Sequence, residues 1–181
     1  MTTAYTPLLG LALPVQGELV GTWGDVVDNA ITSYVDTAVA GTQTITGDSN
    51  VTLSLTNGSS SATNLAQVGA GTTGSAQYAV INCTGARTAV RTITVPASSK
   101  QYIIINATTG GYGVKIVGAG PTTGLTIPPS TVATVAWNGS DFVAASNPYV
   151  NYSAGQIAAT GGGTVVNGTG NVFVGSNAGN I

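Results

Sequence analysis

Carboxylates and a single thiol are the side chains in this sequence that could take part directly in catalysis. The chain has six Asp and Glu residues, one Cys and no His. Without a histidine, neither a Cys-His pair nor a Ser-His-Asp triad can form, so Cys83 has no base to activate it. We interpret Cys83 as a small core residue. This inventory predicts a protein that is not an enzyme.

Two aspartates remain as candidates for acid and base chemistry. A glycosidase site needs a pair of carboxylates, and Asp48 could in principle pair with Asp141. Both lie in turn-like sequences, GDSN at 47–50 and NGSD at 138–141. In such turns an aspartate usually accepts hydrogen bonds from nearby backbone N–H groups. We therefore expect both carboxylates to stabilise turns.

Sites for metals, nucleotides and sugars have weak support. Asp25 and Asp28 share a helical face, but a hard cation needs about six oxygen ligands. The stretch GGYG at 110–113 does not precede a helix, so it lacks the geometry of a nucleotide loop. The aromatic residues that could stack on sugars include Trp137, whose place at the end of an alternating strand is typical of a core residue. The others are Tyr102 and Tyr112. The sequence predicts no cofactor and no metal, and it leaves a carbohydrate-recognition module as an alternative.

The scarcity of charge indicates an assembly component. Charged residues make up 6% of the chain and the net charge is −2, whereas about 25% is usual. A surface with so few charges tends to associate, so we infer that copies or partners cover much of it. The basic residues Arg87, Arg91, Lys100 and Lys115 are scattered, which argues against nucleic-acid binding. The apolar run at 8–13 is too short to span a membrane.

Residues 22–41, TWGDVVDNAITSYVDTAVAG, form the segment with the clearest helical periodicity. Thr22 is the expected N-cap, with Asp25 completing a shortened capping box, and Gly41 is the expected stop. A helix of this length is marginal alone, so its apolar face needs a surface to contact. That face is predicted to contain Trp23, Val26, Val27, Ala30, Ile31, Tyr34, Val35 and Ala38.

Residues 1–21 are predicted to form an extended, ordered arm. Pro7 and Pro14 interrupt regular structure. The arm leaves two possibilities open, because its leucines can contact either this chain's own helix or sheet, or a neighbouring protein. The leucines are Leu8, Leu9, Leu11, Leu13 and Leu19.

Residues 42–147 have the pattern of many short strands. Alternation of apolar and polar residues is clear at 51–56, 90–95 and 131–137. The segments 77–83 and 101–108 are more continuously apolar, which predicts burial on both faces, either between two sheets or at a subunit contact.

The turns between these strands complete the prediction for 42–147. Asn138-Gly139 predicts a hairpin, and three prolines, Pro121, Pro128 and Pro129, indicate a long connection. The whole pattern predicts an antiparallel β-sandwich of jelly-roll type.

After Pro148 the composition changes again. A linker is followed by GGGTVVNGTGNVFVGSNAGNI, in which short apolar pairs alternate with glycines. This rhythm predicts a β-roll or an interwound fibre over 148–181. Little more than one unit is present, and one unit cannot bury a core alone. We therefore expect either that the biological chain continues or that three copies wind together here.

Several of these motifs resemble virion fibre proteins of tailed phages, especially marine and cyanobacterial phages. The leucine-rich arm, GTWGDVVDNAI at 21–31 and AVAGT at 38–42 are similar to their N-terminal region. GNVFVGSNAG at 170–179 resembles repeats in phage fibre shafts and in heads of trimeric adhesins. The resemblance implies a homotrimer that is fixed to the virion through its N-terminal part.

Together these observations predict a structural virion protein located in the phage tail and assembled in the host cytoplasm. It is expected to be the trimeric base of a tail fibre, attached to other tail or baseplate proteins, with distal parts that reach host surface glycans. A head or baseplate decoration protein is the alternative within the structural class. The residues predicted to form assembly contacts are Leu8, Leu9, Leu11, Leu13, Trp23, Val27, Ile31 and Tyr34.

Overall fold

A computed structural model describes residues 3–61 and 74–145 of the chain. The helix α1 covers residues 23–40, and a 3₁₀ turn covers Ser75–Gln77. The strands are β1 (Ala4–Tyr5), β2 (Ala12–Leu13), β3 (Thr42–Ile45), β4 (Val51–Thr52), β5 (Val80–Cys83), β6 (Arg91–Val95), β7 (Gln101–Asn106), β8 (Val114–Gly118), β9 (Leu125–Ile127), β10 (Thr131–Trp137) and β11 (Phe142–Ala144). The described part of the chain is therefore mainly β with one helix, as predicted. The predicted linker and glycine-rich segment, 148–181, lie outside the described residues.

The N-terminal arm is doubled back rather than extended, which corrects the prediction. Strands β1 and β2 pair antiparallel, with Tyr5 opposite Ala12. The backbone also bonds across this hairpin, because the N–H of Thr6 donates to the carbonyl of Leu11 at 2.9 Å. The two prolines prevent longer strands, but they do not prevent the chain from turning. The arm therefore makes its own local sheet.

Helix α1 contains a π-helical segment that its sequence pattern does not predict. Two α-helical parts, Trp23–Val27 and Ser33–Ala40, flank a π-helical segment, Asp28–Thr32. The N–H and the hydroxyl of Ser33 both donate to the carbonyl of Asp28, five residues earlier. A π segment turns less per residue than an α-helix, so it offsets the drift of about 40° between residues four apart. Rows of positions four apart therefore run closer to the helix axis here than in a regular α-helix of this length.

The ends of α1 differ in how well they follow the prediction. Thr22 makes no side-chain capping bond, so the predicted capping box with Asp25 is wrong. Gly41 does end the helix, but its backbone is extended rather than left-handed. A Cβ at Gly41 would lie 2.6 Å from the carbonyl oxygen of Thr37 and 2.9 Å from the Tyr78 ring. Glycine is required there because the helix end approaches Tyr78 closely.

Two mixed sheets form the β part of the chain. The five-stranded sheet has the order β11-β10-β7-β5-β3, and the four-stranded sheet has the order β4-β6-β8-β9. From β3 to β8 the chain alternates between the two sheets. Successive strands within each sheet are parallel over this part. Each crossover between parallel strands therefore contains a strand of the other sheet, and the chain winds as a coil.

The predicted antiparallel jelly-roll arrangement is wrong for this coiled part. Antiparallel pairing in these sheets joins β8 to β9, β7 to β10 and β10 to β11. The β10–β11 pair is the hairpin predicted at Asn138-Gly139, with Trp137 opposite Phe142. The reason for the error is that side chains alternate with period two in parallel and antiparallel strands alike. Alternation cannot report strand direction.

One hydrophobic core combines the buried faces of both sheets. The five-stranded sheet contributes Ile45, Ile81 and Ile104, and the four-stranded sheet contributes Ile93 and Ile116. Burial alternates along β5 and β7, so residues of these strands also point outward. The prediction that 77–83 and 101–108 are buried on both faces is therefore wrong within one chain. The subunit contact offered as the other explanation remains a prediction.

Candidate functional site

Asp48, the first candidate carboxylate, is bonded to Thr88 and Arg91 in a distant part of the chain. Its Oδ1 lies 2.6 Å from Nε of Arg91. Its Oδ2 accepts hydrogen bonds from the hydroxyl of Thr88 at 2.5 Å and from the Thr88 N–H at 3.2 Å. The Arg91 hydrogen bond, followed by those from Thr88, holds the pKa of Asp48 well below its usual range. This carboxylate stays ionised and cannot act as a general acid near neutral pH.

Asp141, the second candidate, joins three backbone segments. Its carboxylate accepts N–H donors from Gly118 at 3.0 Å, Gly124 at 2.6 Å and Phe142 at 2.7 Å. Burial raises the pKa of Asp141, but these three bonds and the charge of Lys115 outweigh it, so the pKa is lowered overall. The prediction of backbone bonding is confirmed for Asp141. Asp48 accepts one backbone bond, from the N–H of Thr88 40 residues away, and its other bonds come from side chains.

The thiol and two of the aromatic candidates belong to the core. Cys83 is buried, and burial raises the pKa of its thiol to about 11. Tyr102 is also buried, and its hydroxyl donates to the carbonyl of Ala76 at 2.8 Å. Trp137 lies 5.5 Å from the ring of Phe142 and contacts the core, as predicted. Of the aromatic residues proposed for sugar stacking, Tyr112 is the exposed one. No group of metal-ligating side chains occurs in the described residues.

The helix presents two apolar rows, each with a spacing of four residues. The first row, Val26, Ala30 and Tyr34, is buried against this chain. Val26 and Ala30 share a small cluster with Ala12 of the arm. The second row, at 23, 27, 31, 35 and 39, is more exposed. Trp23 is 59% and Val39 75% exposed, whereas Val27 and Ile31 are partly buried and Ile31 also packs against that cluster. The predicted apolar face is therefore split between the chain's interior and its surface.

A groove of about 480 Å³ follows the second row over its last two turns. The described residues that line it are the apolar Ile31, Val35 and Val39 and the polar Thr32 and Asp36, all of helix α1. Asp28 is one turn before Thr32 in the same polar row. The groove thus combines an apolar wall with an acidic border.

The predicted assembly residues of the arm are placed unevenly. Leu8 and Leu13 are exposed, whereas Leu9 and Leu11 are partly buried. On the helix, Trp23 is exposed, Val27 and Ile31 are partly buried, and Tyr34 is fully buried within this chain. That these eight residues contact a neighbouring chain remains a prediction.

The outer face of the five-stranded sheet is a second exposed apolar surface. Ile103 of β7 lies beside Val80 of β5, and Ile105 lies opposite Val132 of β10. Val132 is 62% exposed, and Val143 of β11 extends the surface toward the edge. None of the residues on this face is charged. We call this surface the outer sheet face. In the sequence, it was indicated by the continuously apolar segment 101–108.

Two polar residues that sequence reasoning missed, the buried Gln77 and the partly buried Lys100, bond to backbone carbonyls of segments far from them in the sequence. Gln77 donates from Nε2 to the carbonyls of Leu9 and Thr56 at 2.8 and 2.5 Å. Lys100 directs its ammonium group at three consecutive carbonyl oxygens of residues 76–78, at 2.5 to 3.0 Å. Sequence pattern shows a polar residue at each position but not its burial.

Comparison of the chain with protein-family models, with curated proteins and with solved structures finds no match. Among the described residues, no helix is long and apolar enough to cross a membrane.

Proposed function

We propose that this protein is a structural component of a virion, the trimeric base of a phage tail fibre. The observation that carries the proposal is the outer sheet face, which exposes Ile103, Val132 and Val143 without any charged neighbour on that face. Contiguous apolar surface of this kind marks interaction sites in soluble proteins. An uncharged face also contacts its own copy without repulsion between like charges. It therefore suits self-association.

The remaining surfaces fit the other parts of such a protein. The two coiled sheets, with the hydrophobic core that they share, would form the body of each subunit of the trimer. The glycine-rich residues 148–181 would lead into a shaft. The arm and helix would attach the trimer to other tail or baseplate proteins, as the resemblance at 21–31 implies. Distal parts of the fibre would then reach glycans of the host surface. The protein would be assembled in the host cytoplasm and would act in the virion tail.

The two candidates outside this function have less support. A carbohydrate-recognition module would need several exposed aromatic rings on one rim, but Trp137 and Tyr102 contact the core. A head or baseplate decoration protein would use the same surfaces and would differ in location. Imaging of labelled intact particles separates the two locations.

Oligomeric state in solution tests the proposal. Multi-angle light scattering of the full chain at micromolar concentration is expected to give the mass of a trimer. Val132→Glu places a charge in the outer sheet face and is expected to give a folded monomer, because a buried unpaired carboxylate opposes the contact. Thr52→Glu, at an exposed position of the other sheet, is the matched control and should remain trimeric. A stable monomer of the unmodified chain would contradict the proposal.

A further inference from the structure

The groove beside Ile31, Val35 and Val39 differs from the outer sheet face in its charge. Residues 1–41 contain Glu18, Asp25, Asp28 and Asp36 but no Lys or Arg. In the described parts of the chain, none of the three helix aspartates has an ion-pair partner. The groove therefore combines apolar side chains with the carboxylate of Asp36, which has no ion-pair partner in the described residues.

A second copy of this chain offers little to neutralise that charge, because each of its four basic side chains already has a hydrogen-bond partner within its own chain. The chain has four Lys and Arg residues. Arg87 is buried and donates to the carbonyl of Gly47, and Arg91 pairs with Asp48. The ammonium groups of the two lysines, Lys100 and Lys115, both donate to backbone carbonyls. Contact between two such helices would bring carboxylates toward carboxylates.

We propose that the groove binds a basic amphipathic segment of a different protein. Its apolar side chains would contact Ile31, Val35 and Val39, and its Lys or Arg side chains would pair with Asp28 and Asp36. These two aspartates are two helical turns apart, or about 12 Å along the axis. A helical partner would therefore carry basic residues seven or eight positions apart on the edge of its apolar face. This inference rests on the proposed function, since it gives the chemistry of the attachment partner.

The acidic side chains beside the groove also disfavour one other apolar partner, an anionic lipid surface. An anionic lipid surface attracts basic protein segments and repels acidic ones. The exposed row of α1 has Asp residues at its border and no basic residue within the helix. A basic protein segment is thus the occupant that this charge pattern favours.

A pair of synthetic peptides tests the proposal on the full chain. The first is an amphipathic helix of about 16 Leu and Lys residues, and the second has Glu in place of each Lys. Fluorescence anisotropy is expected to show binding of the Lys peptide only, with affinity falling as salt is added. The double variant Asp28→Asn/Asp36→Asn should weaken that binding by roughly five- to twentyfold.

Two control variants separate the groove from general effects of charge and apolar area. Asp25→Asn removes one carboxylate from the same helix away from the groove and should leave binding nearly unchanged. Val39→Ser should weaken binding by about tenfold, because it removes apolar contact area in the groove. Val132→Ser on the outer sheet face should leave binding of the Lys peptide unchanged.

Equal binding of the two peptides would overturn the inference, as would binding that the double aspartate variant leaves unchanged. A loss of trimer in Val39→Ser would also overturn it, because a second copy would then be the occupant. These failures are distinct from failure of the proposed function. A trimer that ignores the Lys peptide would leave the proposed function in place, whereas a monomeric chain would contradict the proposed function itself.

Discussion

The side-chain Nε2 of Gln77 donates a hydrogen bond to the carbonyl oxygen of Leu9 at 2.8 Å, across 68 residues of sequence. The same amide group donates to the carbonyl of Thr56 and accepts a bond from the Thr56 N–H at 3.3 Å. Gln77 is fully buried, so water cannot replace these bonds. One side chain thus joins the arm to the strands.

We predict that Gln77→Leu destabilises the chain by about 1–3 kcal/mol, because it leaves buried carbonyl groups without donors while roughly preserving volume. The control is Gln16→Leu, at an exposed arm position, which should change stability little. Urea denaturation measures both. Hydrogen exchange should also speed up at Gly58, whose N–H bonds to the carbonyl of Gly10 in the arm. Equal effects of the two substitutions would show that Gln77 does not hold the arm.

The Asp48–Arg91 pair should make the free energy of unfolding depend on pH in the acid range. The pKa of Asp48 in the folded chain is below its ordinary value of about 4. Its stabilising effect is therefore complete above about pH 4 and is lost as pH falls through the lower folded pKa. The difference in unfolding free energy between the native chain and Asp48→Asn should be constant from about pH 5 to 7 and shrink below pH 4.

Arg91→Gln provides the partner measurement for this pH dependence. In a double-mutant cycle, the coupling between positions 48 and 91 should disappear at low pH, because the carboxylate is then protonated. A difference between the native chain and Asp48→Asn that does not change with pH would contradict the prediction.

Helix α1 shows both the strength and the limit of prediction from sequence. The apolar period located the helix at 22–41, close to the observed 23–40. It could not separate the buried row that contains Ala30 from the exposed row that contains Val35, because neighbouring rows of an α-helix are both apolar here. The π-helical segment, which reduces the drift of each row, has no distinct sequence signature. Of the predicted helix contacts, Trp23, Val27 and Ile31 lie on the second row and Tyr34 lies on the buried one, so the sequence located the helix but did not separate its two rows.

The strands show a similar division. The alternation of apolar and polar residues predicted the bounds of β6 and β10 closely. Asn138-Gly139 predicted the hairpin that joins β10 to β11. Strand β9, Leu125–Ile127, was missed because Pro121 and Pro128 flank so short an apolar run. Partner choice in the coil depends on contacts between residues far apart in the chain. A local pattern contains no information on those contacts.

Gly118 is predicted to tolerate no side chain. A Cβ at this position would lie 2.3 Å from Cζ3 of Trp137, whose ring also contacts Phe142. Gly118→Ala must displace the indole and should destabilise the chain by about 1–3 kcal/mol. Gly24→Ala is the matched control in α1, where a Cβ meets nothing within 4 Å. It should stabilise the helix by about 0.5–1 kcal/mol. Thermal denaturation followed by circular dichroism measures both, and a neutral Gly118→Ala would contradict the close contact.

Truncation of the two largest side chains of α1 should change the free energy of unfolding by very different amounts. Tyr34 is fully buried, whereas Trp23 is mostly exposed on the second row. Tyr34→Ala should therefore cost about 3–5 kcal/mol in the unfolding free energy of the single chain. Trp23→Ala should change it by less than about 0.5 kcal/mol, since little contact area within the chain is lost.

Assembly should reverse the order of these two effects. Trp23→Ala is expected to keep its β-sheet circular dichroism and its trimer mass, while its incorporation into virions falls because the exposed row of α1 loses its largest side chain. Particle incorporation is measured by immunoblotting of purified virions, with Asp25→Asn as the control on the same helix. If Trp23→Ala unfolded the chain as readily as Tyr34→Ala, the assignment of the second row to the surface would be wrong. Normal incorporation of Trp23→Ala would instead exclude Trp23 from the attachment contact.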